Sequence, residues 1–93
     1  MVVAACLCRL SLPAGESLKD KRRVVKSLID RVKNRYNVSV AEVDHQDHHH
    51  LADIGLAAVS NDGDFAREVL EGVVRFIERN SGADLIDYRI DIL

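Results

Sequence analysis

The chain has 93 residues, with 13 Lys and Arg against 15 Asp and Glu for a formal net charge of −2, and 47% of its residues are hydrophobic. That length supports one core and leaves no room for a second catalytic or regulatory domain, so residues 1–93 are read as one domain. The composition excludes a disordered chain, and no apolar run approaches the roughly 20 residues of a bilayer-spanning helix, so a cytoplasmic protein with no membrane partner is expected.

Met1 to Leu12 is apolar, with no basic leader or cleavage-site pattern. Within it Val2, Ala4, Cys6, Cys8, Leu10 and Leu12 occupy the even positions and Arg9 and Ser11 the odd ones, which is the period of a strand. The two cysteines then share one face about 6.6 Å apart along the strand, poorly aimed for a disulfide, and are read as small buried hydrophobes. Pro13, Ala14 and Gly15 break the strand. Ser17 followed by Asp20 marks a helix start, and the helix is expected to run to about Tyr36. Leu18, Val25, Leu28, Ile29, Val32 and Tyr36 gather on one side of it. Lys19, Arg22, Arg23, Lys26 and Lys33 gather on the other.

Asn37 ends that helix; Val38 to Asp44 and Leu51 to Ser60 read as two further strands joined by a polar hairpin. Asn61 to Asp64 supply a turn and a cap for a second helix, whose apolar set is Phe65, Val69, Leu70, Val73, Phe76 and Ile77. Asn80, Ser81 and Gly82 stop it. In the last segment Ile86, Tyr88, Ile90 and Ile92 alternate with Asp87, Arg89 and Asp91, predicting a strand with one dry and one wet face. Strand, helix, strand, strand, helix, strand is the split βαβ arrangement, an α+β sandwich of a four-stranded antiparallel sheet with both helices on one face. Its other face has no second layer, and Val3, Ala5 and Leu7 lie there beside Arg9, so a homodimer through that face or an edge strand is expected.

Charge is sharply segregated. From Ser17 to Tyr36 there are eight basic residues against two acids; the rest of the chain holds five basic residues against 13 acids. Lys19, Lys21, Arg22 and Arg23 lie in the first two turns, where the helix dipole disfavours cations but outward amide groups favour an anion. Lys19, Lys21, Arg22, Arg23, Lys26 and Lys33 are therefore the candidate nucleic-acid-binding residues, with solvation of an outward face or pairing with the acidic rest of the molecule as the alternative. Lys21 projects about 30° from the middle of the apolar side, where a salt bridge to an acid near the second or third strand competes with a ligand contact.

His45, His48, His49 and His50 have metal-ligand chemistry, but a hairpin tip seldom supplies fixed geometry, so they are read as a polar loop and no metal or other cofactor is assigned. No catalytic residues are assigned either: the cysteines lie mid-strand on the apolar side, where a thiolate is disfavoured. The loop from Leu12 to Ser17 has a single glycine and no Gly-Lys pair, unlike a P-loop, and unlike the glycine-rich, arginine-closed phosphate loop of acylphosphatases. RNA-recognition modules share the strand order but stack bases on aromatics of the central strands, where this chain has Leu7, Arg9, Ala57 and Val59.

Three segments in order, Ser17-Leu18-Lys19-Asp20-Lys21-Arg22-Arg23, Asn37-Val38-Ser39-Val40-Ala41-Glu42-Val43-Asp44 and Val59-Ser60-Asn61-Asp62, with the closing Leu85-Ile86-Asp87-Tyr88, resemble the YlxP-like family of small uncharacterised bacterial proteins. The resemblance covers the whole chain and implies a ferredoxin-like fold. It also implies genes beside those of translation initiation and ribosome-maturation factors. His48-His49-His50 departs from it, since an aliphatic, an aromatic and a polar residue are more usual there. The expectation is an accessory protein that meets RNA or the ribosome through its basic first helix. Two alternatives stand beside it: a homodimeric module whose helix binds an acidic protein, and a small enzyme acting on a phosphorylated ligand near Ser17.

Overall fold

The computed structural model describes residues 1–13 and 17–93. The elements follow the expected order: β1 (Val2–Ser11), α1 (Leu18–Arg35), β2 (Ser39–Asp44), β3 (Leu51–Ser60), α2 (Gly63–Asn80) and β4 (Asp84–Ile92). They form one four-stranded antiparallel sheet in the order β2-β3-β1-β4, the ferredoxin-like α+β fold. No helix among the described residues is long and apolar enough to cross a membrane.

Local chemistry sets the helix ends. The Ser17 hydroxyl accepts the Asp20 amide at 3.1 Å and the Asp62 carboxylate accepts the Asp64 amide at 3.0 Å, each satisfying a donor that the first turn leaves open. Gly82, with φ of 72°, takes the left-handed conformation that ends α2.

The alternation of β1 places Ala4, Cys6, Cys8 and Leu10 on the helix-facing side of the sheet, beside Ala52, Ile54, Leu56 and Ala58 of β3. Val25, Leu28 and Val32 of α1 and Leu70, Val73 and Ile77 of α2 close over them. Burying one such Leu or Ile contributes about 1.5–3 kcal/mol, and this sum holds the helices to the sheet. On the opposite face Gly55 admits the side chain of Val43: a Cβ at Gly55 would lie 2.9 Å from Val43 Cγ1. Leu7, Val43 and Val59 remain open there at 38%, 50% and 67% exposure, as the odd-position pattern of β1 anticipates.

Two expectations are corrected. Phe65 is 56% exposed and Ala66 takes the buried place in the first turn of α2, while Val69 and Phe76 are only half-buried against the core. The dry face of β4 is incomplete: Ile90 packs on the core as expected, but Ile86, Tyr88 and Ile92 are 53%, 46% and 39% exposed, and Leu85 takes the inward place expected of Ile86. The exchange of Ile86 for Leu85 comes from a register shift between Arg9 and Leu10, which face Asp87 and Leu85 respectively. Ile86 is thus an extra, bulged residue, and β4 as an edge strand is covered on one margin only.

Candidate functional site

Along α1, Lys19, Arg22, Arg23, Lys26 and Lys33 are exposed and fall within roughly 100° of the helix circumference over about 21 Å of its length, with Asp30 interrupting the stripe. Among the described residues, two of the five have carboxylates near. Arg22 Nη2 stands 3.5 Å from Asp47 Oδ1, and Arg23 Nη1 3.9 Å from Asp20 Oδ1, with all four side chains open to water. Contacts so long and so exposed are weak and screened by salt, and they yield to a stronger anion. Lys26 and Lys33 have no carboxylate within 4.0 Å among the described residues.

Lys21, expected on this surface with the other five, does not belong to it. Its side chain is fully buried, with Nζ 3.1 Å from Glu42 Oε2, and it donates to the carbonyl oxygens of His45 and, at 3.4 Å, Gln46. The apolar side of the wheel turns Lys21 inward, and the salt bridge to a strand acid is the alternative that the structure adopts. His45, which accepts this ammonium, has φ of 62°, a strained value for a non-glycine residue, and its N–H donates to Asp44 Oδ1 at 2.7 Å. Lys21 thus fastens the first turn of α1 to the one strained residue of the β2–β3 hairpin.

On the open face of the sheet, Arg9 and Asp53 sit opposite each other in the β1–β3 register. Arg9 Nε and Nη2 donate to Asp53 Oδ1 and Oδ2 at 2.9 and 3.0 Å, a bidentate pair. This pairing holds the buried Asp53 carboxyl below its ordinary range and pushes the Arg9 guanidinium up. His45 Nε2 lies 3.3 Å from Arg9 Nη2 and 3.6 Å from Asp53 Oδ2. Asp44, His45 and Asp53 bring ligand-type atoms within 4.8 Å of one another, but the guanidinium already supplies the positive charge between His45 and Asp53. The remaining histidines turn to other uses. His48 Nδ1 accepts the amides of His50 and Leu51 at 3.0 and 3.1 Å, bracing the hairpin, and the rings of His45, His48, His49 and His50 meet edge to face.

Cys6 and Cys8 are buried free thiols whose sulfurs share a hydrogen bond at 3.6 Å without a disulfide. The hydrogen bond to Cys6 and burial push the Cys8 thiol well up, which suits packing and not nucleophilic attack. The Leu12 to Ser17 loop, weighed as a phosphate cradle, lies outside the described residues at positions 14–16.

A second cationic group escapes sequence reasoning. Arg35, Arg75 and Arg79 surround a concavity of about 270 Å³ floored by Tyr36 and Phe76, whose rings meet edge to face at 5.6 Å. Arg35 stands 5.2 Å over the Phe76 ring, and Arg31 Nη1 donates to the Asn80 carbonyl at 2.6 Å, tying the ends of the helices together. Only the packing of α1 on α2 brings these arginines together, and no local spacing encodes it.

Residues 3–90 match the model of a family described as a protein of unknown function, DUF503. The chain is 40% identical over 75 residues to the uncharacterized protein YlxP of Bacillus subtilis (strain 168), covering 81% of this chain and 79% of that one. Among solved structures it is similar to the protein At3g17210 of Arabidopsis thaliana, with 13% identity, a TM-score of 0.48, and coverage of 98% of this chain and 92% of that chain.

Proposed function

The chain belongs to the DUF503 family of YlxP-like proteins, and we propose that it is an accessory protein that associates with RNA, alone or on the ribosome, through the exposed flank of α1. The observation that carries this reading is the set Lys19, Arg22, Arg23, Lys26 and Lys33, held on one rigid element whose other side is locked into the core. The chain as a whole is acidic at −2, so general solubility gives no reason to concentrate eight of its 13 basic residues between Ser17 and Tyr36. Phosphate groups along an RNA backbone match such a row. Each one neutralised releases counterions, which makes the binding electrostatic, and nothing in it requires base-stacking aromatics.

An acidic protein is the competing visitor, because a carboxylate surface offers the same charge. Capture from lysate on immobilised protein, with and without nuclease, separates the two. The proposal expects RNA on the wild-type protein, little on the Arg22→Glu, Arg23→Glu variant, and loss of the captured set after nuclease. Capture that nuclease leaves unchanged assigns the flank to a protein partner instead.

A further inference from the structure

β4 lies at the margin of the sheet with Ile86, Tyr88 and Ile92 open to solvent. Soluble domains blunt such edges with shortness, proline, charged side chains or bulges. This edge is nine residues long with neither proline nor lysine; the bulge at Ile86 interrupts only its start, and the charges on the regular stretch that follows, Asp87, Arg89 and Asp91, alternate in sign.

Hydrogen-bond parity determines which strands can pair with it. Leu93 donates its N–H to the Val3 carbonyl, so in the antiparallel ladder the main-chain groups of Asp87, Arg89 and Asp91 also turn toward β1. Those of Tyr88, Ile90 and Ile92 turn to the free edge. Two copies related by a two-fold axis must bring these outward groups face to face. Near the middle of the bulge-free stretch that centres the axis on Tyr88, Arg89 or Ile90.

Charge then chooses among the three registers. With the axis on Arg89, that residue faces the partner's Arg89 and Asp87 faces the partner's Asp91, so every charged pair is repulsive. With the axis on Tyr88, Asp87 faces the partner's Arg89 twice, but the pairing runs into the bulge. With the axis on Ile90, Arg89 faces the partner's Asp91 twice, Tyr88 faces the partner's Ile92, and the bulge is avoided. Opposite charges and apolar groups directly across a ladder are stabilising, and like charges are not.

We infer that a second copy of this chain pairs antiparallel along β4 in the Ile90-centred register, joining two four-stranded sheets into one. α1 packs beside β2, at the far margin from β4, so both basic flanks stay open at the outer ends of the pair.

Sedimentation equilibrium of the full chain over a range of concentrations tests it, with circular dichroism to verify folding. Wild type is expected to shift with concentration from 10.4 kDa to twice that mass. Arg89→Asp places like charges across the axis and is expected to raise the dissociation constant about tenfold or more. Adding Asp91→Arg restores the opposite-charge pairs and is expected to return the constant to near the wild-type value. A monomeric wild type, or an Arg89→Asp protein that dimerises as tightly as wild type, overturns the pairing. A double variant that folds but stays monomeric overturns the Ile90-centred register.

Discussion

Lys21 is one residue among eight cations in a basic segment, yet its role is opposite to theirs. Its ammonium compensates Glu42 and holds the carbonyls of His45 and Gln46 from inside the fold. Removing one member of a buried pair leaves the other charge stranded, so Lys21→Ala is expected to destabilise the chain by about 3 kcal/mol. A combined Lys21→Met, Glu42→Leu change is expected to recover most of that loss, and urea unfolding of the three proteins checks both. The helical wheel already turned Lys21 toward the apolar side. It could not name the acceptors, because two of them are main-chain carbonyls more than 20 residues away in sequence.

At the level of elements, spacing was most informative where both faces of a strand were decided locally. β1 runs as its period-two alternation predicts and β3 spans the expected Leu51 to Ser60, and the helix caps fall at Ser17 and Asp62. β4 resisted because a bulge resets alternation: Ile86 and Tyr88 share parity in sequence but not a place in the ladder. Arg9 and Asp53, directly opposite across β1 and β3, are expected to couple the stability of this sheet to pH in the acid range. Asp53 takes up a proton less readily when folded than at the ordinary carboxyl value of 3.8. The stability it adds is therefore fully present above that value and is lost as pH falls through the lower folded pKa. Asp53→Asn is expected to lower stability at neutral pH and to flatten its decline in acid, measured as thermal midpoint against pH with wild type alongside.

At the scale of the whole molecule, the fold sorts charge that the sequence only counts. Helix packing removes Lys21 from the outer surface, gathers Arg35, Arg75 and Arg79 around Phe76, and leaves five cations of α1 in a row. The row was readable from the 3.6-residue period; the arginine concavity was not, because it exists only where two helices meet. The two cationic groups lie on different sides of α1, so they can be tested apart.

The most direct test is the affinity of the protein for a structured RNA, measured from about 50 to about 200 mM salt. Five phosphate contacts along α1 predict a slope of about −4 in log affinity against log salt. Arg22→Glu with Arg23→Glu is expected to make that slope shallower by about 2, while Arg75→Glu with Arg79→Glu leaves it unchanged. No association with RNA at either end of the salt range would contradict the account.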